Sequence, residues 1–318
     1  MRAVLIVNPN ATSTTAAGRD LLAHALESRV RLSVEHTNHR GHAIEIAEKA
    51  VVDGVDVVIV HGGDGTVNEV VNGLLGKPGP LPLGDIPAVG IVPGGSANVF
   101  ARSLGISQDP IDATNQLIDL LTEYRRTRTW RRIGLMDCGE RWGVFTAGMG
   151  VDGEVVAAVE ARRDTQKVTA MRYISTAVPA LLRSAREEPR LTLQLDGGEP
   201  VPGVHFVFVS NSSPWTYANK RPIWTNPDCG FDTGLGVFAT TSMSVWRNLG
   251  LARQMFAKRP KLKAGHLIRE DDVDLVRITS TTPIACQIDG DYIGLRDEMT
   301  FRAVADALGV VAPEKKLD

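Results

Sequence analysis

Residues 55–75 constrain the fold most, because they join a β-branched run, Val57-Val58-Ile59-Val60, to a helical pattern through the turn His61-Gly62-Gly63-Asp64-Gly65-Thr66. A run of this kind, unbroken by polar residues, suits an interior strand of a parallel sheet. Beyond the turn, Val67, Val70, Val71, Leu74 and Leu75 recur at helical spacing, so one face packs inward while Asn68, Glu69 and Asn72 point elsewhere. Glycines in the turn permit positive φ and leave N–H groups uncovered at the helix start, where the helix dipole favours an anion. Asp64 stands among those donors. Its carboxylate would repel a phosphate directly, so it is expected to face a nucleotide through Mg2+ or ordered water. The plain structural reading stays open, since Asp-Gly alone is a turn signal in many α/β proteins.

The same order of strand, turn and helix recurs up to about Tyr124, with strands predicted at 3–7, 32–36, 55–60 and 88–92. That alternation predicts a parallel α/β domain. After Trp130 the pattern changes to extended segments at 191–195, 204–210, 236–240, 273–279 and 284–288, interrupted by helical stretches near 153–163 and 245–258. A mainly antiparallel β-sandwich is expected there. With 318 residues the chain holds two ordinary domains, an α/β domain over 1–128 and a β domain over 129–295.

Charge and cysteine usage narrow the function. A net charge of −2 and a pI near 6.4 argue against a nucleic-acid binder. Cys138, Cys229 and Cys286 have no paired spacing, so neither a disulfide framework nor a zinc site is expected, and a reducing cytoplasm fits. No apolar run approaches the ~20 residues of a membrane-spanning helix. The opening run at 3–7, followed by Asn8-Pro9, is too short for a signal peptide and is expected to be a first strand.

Further motifs carry chemistry beside a structural alternative. Asn8-Pro9-Asn10-Ala11-Thr12 makes a βα turn whose N–H and hydroxyl groups can contact a nucleotide, and alone it is a generic turn. Pro93-Gly94-Gly95-Ser96-Ala97-Asn98-Val99-Phe100-Ala101-Arg102 repeats the first motif's logic, with Ser96 as N-cap or phosphate ligand. Gly148-Met149-Gly150-Val151-Asp152-Gly153 joins a short strand to a helix. Ile288-Asp289-Gly290-Asp291-Tyr292 is first of all a hairpin turn.

In this order the motifs resemble the diacylglycerol kinase catalytic family, which includes bacterial lipid kinases and sphingosine kinases and is distantly related to NAD kinases. The resemblance implies a last strand that returns to the first domain, completing it with residues 296–318, and an active site in the cleft between the domains. It implies ATP held by Asn8, Asn10, Ala11, Thr12, Thr37, Gly63, Asp64, Gly65, Thr66, Val67, Asn68, Glu69 and Ser96. It implies Mg2+ near Asp64 and Asp152, and Asp289 as the base that accepts a lipid hydroxyl's proton, with Asp291 in support. In sphingosine kinases the acid matching Asp64 takes the base role instead, and the sequence leaves that choice open. Val99 stands where bacterial relatives carry an aspartate, and Ser96 where they carry threonine. The family's structural-metal loop matches Gly230-Phe231-Asp232-Thr233-Gly234-Leu235, in which carbonyls of Gly230 and Leu235 remain as ligands but Thr233 replaces the acid.

The expected activity is phosphoryl transfer from ATP to a lipid hydroxyl, diacylglycerol becoming phosphatidic acid in phospholipid biosynthesis, with a sphingoid base or another lipid as alternative acceptor. An NAD kinase is disfavoured, because no Asn-x-Gly-x-Leu-Gly-Phe-type segment follows the acidic glycine loop. A noncatalytic lipid- or nucleotide-binding regulator is the rival of another class. The expected partner is a lipid at the cytoplasmic face of a membrane, met from the water side, and a homodimer is left open. Two basic stretches suit that approach. One carries Arg247, Arg253, Lys258, Arg259, Lys261 and Lys263, and the other Arg162, Arg163, Lys167, Arg172, Arg183 and Arg186. Solvated helix faces over a core are the alternative. Trp215, Tyr217 and Trp224 are read as acyl-channel lining or as ordinary packing.

Overall fold

The computed structural model describes residues 1–10, 15–82, 84–160, 187–218, 221–257 and 260–314. The chain divides into two units, the first made of Met1–Leu135, Gly139–Val144 and Ala305–Asp318, the second of Met136–Cys138 and Phe145–Val304.

Unit one is the predicted parallel α/β structure. It runs β1 (Arg2–Val7), α1 (Ala16–Glu27), β2 (Arg31–His36), α2 (His42–Val52), β3 (Val57–Gly62), α3 (Asp64–Leu75), β4 (Ala88–Pro93), α4 (Val99–Ser103) and α5 (Pro110–Thr127). The strands lie in the order β2, β1, β3, β4, all parallel. Every residue of β3 and β4 is buried, as a continuous β-branched run requires of interior strands, whereas β2 carries Arg31, Glu35 and His36 and is mostly exposed at the edge. Leu22 and Leu26 of α1, with Leu117 and Leu121 of α5, recur every four residues and pack on Leu5, Val57, Ile59 and Val92 from one face of the sheet. α1 starts where its cap allows, since the Thr15 hydroxyl accepts the Gly18 N–H at 3.1 Å.

Strand β5 (Arg131–Asp137) and the two-residue β6 (Trp142–Gly143) follow. Unit two then contains β7 (Thr146–Met149), α6 (Val151–Glu160), β8 (Leu191–Leu195), β9 (Val201–Val204), β10 (Phe206–Ser210), β11 (Thr216–Ala218), β12 (Arg221–Ile223) and β13 (Leu235–Thr240). A helix over Val245–Met255, here α7, leads to β14 (Leu267–Val273), β15 (Leu275–Ile288) and β16 (Asp291–Val310). Pairings within unit two are antiparallel, as expected. β15 is irregular between Thr279 and Ile284, so its first half pairs with β8 and its last residues with β7. Side chains of both halves, Ile278 and Ile288 among them, meet Leu193, Val209, Val237 and Phe301 in one core.

Several boundaries differ from the sequence reading. The extended run expected over 273–279 is two strands, because the chain turns at Asp274, where the Asp196 carboxylate accepts the N–H groups of Asp274 and Leu275. β16 was expected only as a returning strand from 296. It begins at Asp291, belongs to unit two for most of its length, and ends in unit one, where Val310 pairs with Val89.

Candidate functional site

In unit one the chain leaves β1 for β2 on one side and passes from β3 to β4 on the other, so the strand order reverses between β1 and β3. Open α/β sheets bind ligands outside the carboxyl ends of the strands at such a point. Three turns collect there. Asn8 follows β1 and its N–H donates to the His61 carbonyl; Thr37 follows β2 and its N–H donates to the Val7 carbonyl; Gly63 follows β3. The Asn8 amide reaches the Thr66 hydroxyl at 3.2 Å, and its carbonyl oxygen accepts the Asn10 N–H at 2.9 Å, tying the first turn to the start of α3. No side chain caps α3. Its first N–H groups therefore face outward at the positive end of a three-turn helix, beside Gly65, which is exposed with nothing near the position of a Cβ.

The glycines of this turn do a different job from the expected one. Gly62, Gly63 and Gly65 all have negative φ, and Gly63 is extended at φ −96° and ψ −178°. What matters is the missing side chain, because a Cβ on Gly95 would stand 2.8 Å from the Gly63 Cα. The β3 and β4 turns touch backbone to backbone.

Asp64 bridges the same two turns. Its carboxylate accepts the N–H of Val99 through one oxygen and that of Phe100 through the other, both at 3.0 Å, and so caps α4 from 35 residues away. Burial pushes the Asp64 carboxyl above its ordinary value, against the opposing pull of the Phe100 and Val99 N–H groups and of Arg102. By surface Asp64 is only half-buried, so the desolvation comes from protein packed around the carboxylate rather than from complete enclosure. Ser96 is exposed, and the N-cap position of α4 belongs to Asn98, not Ser96. Asn98 adopts a left-handed φ of 49°, and its side chain exchanges hydrogen bonds with both backbone groups of Gly95.

Three further residues expected at the nucleotide lie within the fold. Val67 is fully buried. Asn68 is buried and donates to the Trp142 carbonyl at 3.2 Å while accepting from Arg141. Glu69 accepts the N–H groups of Gly41 and Ala43 and so caps α2. Ala11 and Thr12 lie outside the described residues. Arg19, which no motif marked, reaches back over the β1 turn to the Pro9 carbonyl at 3.5 Å. Burial, with Arg19 adding to it, lowers the pKa of His61 below its usual value despite the contact of its Nδ1 with the Val92 carbonyl at 3.1 Å.

In unit two, Asp289 and Gly290 occupy the β15–β16 turn with φ of 53° and 80°, a two-residue hairpin of type I′ closed by the pairing of Ile288 with Asp291. The Asp289 carboxylate accepts the N–H of Phe145 at 2.8 Å and of Thr146 at 2.9 Å through one oxygen. Its own N–H donates to the Thr146 carbonyl at 2.7 Å. Asp152 is buried, and its carboxylate accepts the Gln287 amide at 2.6 Å. Gly148 is glycine because a Cβ there would lie 2.4 Å from the Asp152 carboxylate. Trp215 stacks on Phe208 with ring centroids 5.2 Å apart, an ordinary packing contact.

The loop matched to a structural-metal site closes on itself. The Thr233 hydroxyl accepts the Gly230 N–H at 2.9 Å and lies 3.0 Å from the carbonyls of both Gly230 and Gly234. Nearby, burial pushes the Cys229 thiol up to about 12, leaving it a neutral thiol rather than a thiolate donor. A hard divalent cation needs carboxylate oxygens. With one hydroxyl bridging the carbonyls, this donor set does not fit such an ion. Among the described residues no three acids, histidines or cysteines cluster as a metal cage, and no helix is long and apolar enough to cross a membrane.

Residues 2–126 match the model of the diacylglycerol kinase catalytic domain. The chain is 39% identical over 114 residues to the diacylglycerol kinase of Bacillus subtilis strain 168, an alignment that spans 35% of each protein. It is 40% identical over 95 residues to a Chromohalobacter salexigens protein named "Probable lipid kinase YegS-like", of which the alignment spans 29%. With these two relatives, then, the likeness covers about a third of their length. A Streptococcus pneumoniae protein named "Putative lipid kinase" is 24% identical over 302 residues, 91% of each chain. A crystal structure of a diacylglycerol kinase from Bacillus anthracis strain Sterne superposes with a TM-score of 0.71 at 18% identity, covering 98% of this chain and 97% of that one. The fold of this chain is therefore that of the bacterial diacylglycerol kinase-like proteins.

Proposed function

We propose that the chain is an ATP-dependent lipid kinase that transfers the γ-phosphate of ATP to a lipid hydroxyl, with diacylglycerol as acceptor and phosphatidic acid as product. One observation carries this reading beyond the family: an uncapped helix start, an aspartate and two glycine turns gather at the point where the sheet order reverses. The N–H groups at the start of α3 would take the phosphates, with Ser96, Asn10 and Thr37 at the rim and Arg19 as an added cation. Asp64, its carboxylate fixed by two amides, would hold Mg2+ through water. Mg2+ keeps much of its water and takes one or two carboxylates plus phosphate oxygens, so a donor set without a protein cage fits an ion that arrives with ATP. When bound, the ion would neutralise phosphate charge.

The acceptor hydroxyl would give its proton to Asp289 as its oxygen bonds to the γ-phosphorus, and the bond to the β,γ-bridging oxygen would break to release ADP. Two N–H donors fix the orientation of the Asp289 carboxylate, which favours a positioned base over a mobile one. Asp291, two residues on, would support it. Such an enzyme would work from the cytoplasmic face of a membrane. One observation favours a noncatalytic nucleotide-binding reading: Asp64, Asn68, Glu69 and Asp152 all make hydrogen bonds that would hold the fold without a reaction.

The test is a phosphorylation assay with ATP and Mg2+ against separate panels of diacylglycerol, a sphingoid base and NAD. Labelled phosphatidic acid is the expected product. Label on the sphingoid base alone would reassign the acceptor, label on NAD would replace the lipid reading, and nucleotide binding without turnover on any panel would favour the regulator.

A further inference from the structure

Helix α7 is fixed to unit two along one side. Leu251 is 4% exposed among Met243, Phe206, Phe238 and Leu262. The Asn248 amide donates to the Ser242 carbonyl at 2.8 Å, and its oxygen meets His266 at 3.1 Å. Gln254 accepts the Lys263 N–H at 3.1 Å, and the Trp224 N–H donates to the Met255 carbonyl at 3.0 Å.

The other side is bare and apolar. Trp246 is 85% exposed, Leu249 62% and Phe256 52%. They stand three and seven positions apart, and at 100° per residue they fall within one arc of the helix, which Arg253 shares. A bare tryptophan, leucine and phenylalanine on one rigid face are unlike the scattered apolar residues of an ordinary surface. In the same segment Arg247, Arg253, Lys261 and Lys263 are exposed, and no acid occurs between Val245 and Lys263. Lys258 and Arg259 add to this charge in sequence but lie outside the described residues. At the foot of the helix a hollow of about 580 Å3 is lined by Thr241, Ser242, Arg247, Ala264, Gly265 and His266.

We propose that α7 is the surface by which this protein docks on an anionic lipid bilayer, with Trp246, Leu249 and Phe256 entering the interface and the cations of the segment meeting lipid phosphates. An exposed apolar arc on a segment that carries only basic charge is complementary to a membrane surface in both respects: acyl chains accept the first and anionic headgroups the second. A second copy of this chain would bring the same cations face to face, which disfavours self-association through α7. Trp246 suits the boundary, because its ring is apolar and its indole N–H can meet a headgroup. The inference rests on the lipid-kinase reading in taking a bilayer as the place where substrate is met, and it adds which face meets it.

The experiment is co-sedimentation of the full chain, without ATP, with vesicles of phosphatidylcholine alone or mixed with phosphatidylglycerol, at low and high salt. The wild-type protein should sediment with the mixed vesicles at low salt and be released as salt rises. Trp246→Ala should weaken that binding roughly tenfold to a hundredfold, the scale of one large apolar side chain. Arg247→Gln with Arg253→Gln, Lys261→Gln and Lys263→Gln should remove the dependence on phosphatidylglycerol. Thermal melts should stay unchanged, since all these side chains are exposed. Kinase activity on lipid dispersed in detergent micelles should also be unchanged in Trp246→Ala, so a protein inactive on micelles that still binds vesicles through α7 would refute the kinase reading and leave docking standing. Wild-type vesicle binding by Trp246→Ala or by the four-cation variant would overturn the proposal. So would a wild-type dimer that Trp246→Ala dissociates, since α7 would then be covered by a second copy.

Discussion

Asp64 and Asp289 make the same contact in unlike settings. Each carboxylate accepts two consecutive backbone N–H groups from a distant segment, Val99 and Phe100 for the first, Phe145 and Thr146 for the second. Asp64 does this at a helix start, in a turn whose neighbours are further turns of the same parallel sheet. Asp289 does it from the tip of a hairpin, across antiparallel strands, to residues 143 and 144 positions earlier. An acid in a glycine turn is thus a structural clasp before it is anything else, and a catalytic role must be added to that clasp. The two differ in how the donors are shared. Asp64 spends one bond on each oxygen, whereas Asp289 receives both N–H groups on a single oxygen.

The sharpest way to separate the two acids is kinetic. Asp289→Asn keeps an oxygen for the Phe145 and Thr146 N–H groups and suits a type I′ turn, but it cannot accept a proton. If Asp289 is the base, turnover should fall ~10²–10⁴-fold with ATP affinity nearly unchanged. Initial rates alongside calorimetric ATP binding decide it. Near-wild-type turnover in Asp289→Asn, with loss in Asp64→Asn, would move the base to Asp64.

The contact of the two turns in unit one can be broken directly. Gly95→Ala would drive a methyl into the Gly63 backbone 2.8 Å away, and neither chain segment can rotate aside. A cost of roughly 1–3 kcal/mol is expected, read as a lowered melting temperature with weakened ATP binding. Gly65→Ala has open space and should leave ATP binding as the only property affected. Equal melting temperatures for Gly95→Ala and the wild type would show that the two turns are not packed as described.

A third comparison sets the self-closed loop of unit two against a metal-binding one. Thr233→Asp places a carboxylate among the Gly230 and Gly234 carbonyls and should make the melting temperature rise with Mg2+ or Ca2+, a stabilisation of about 1 kcal/mol when the ion is at about five times its Kd. The wild type should melt alike in chelator and in millimolar cation. A wild-type rise with cation would restore the metal site.

The smallest effect concerns pH. Burial in the fold raises the Asp64 pKa above the ordinary value of 3.8, so the folded state favours the protonated acid. The stability this group contributes is complete below that value and is lost as pH rises through the folded one. Asp64→Asn, neutral throughout, escapes the loss, and its melting temperature should gain on the wild type as pH is raised from 4 to 7. A constant difference across that range would mean that Asp64 is charged in the fold without penalty.

Unit one was legible because its pairings follow the chain. A buried run, a turn and an amphipathic helix lie within some twenty residues, and Val57–Gly62 with Asp64–Leu75 reproduces that reading closely. What the sequence hid is what lies across the sheet: nothing near Asp64 signals Val99 and Phe100, and nothing near Asn68 and Asn72 signals the Trp142 backbone they hold. Unit two was harder. β5, β14 and the start of β16, before residue 296, escaped prediction as strands because charged residues such as Arg132, Glu270 and Asp291 interrupt their apolar pattern, and the partners of β5 and β14 lie far along the chain. Arg19 had no motif to reveal it, since its neighbourhood exists only once α1 folds back over β1.

The last strand has a consequence for how the protein is made. Val310 and Val311 hydrogen-bond alongside Val89, pairing the free side of β4 in a sheet whose parallel strands β1 to β4 are all finished by Pro93. During synthesis, at about 5–20 residues per second, that side of β4 must wait some two hundred residues for its neighbour. Until then it is an open, apolar strand edge, the kind that pairs with the wrong chain. A product cut after the catalytic-domain match at residue 126 would keep that edge for good, which makes aggregation a hazard of such truncated forms.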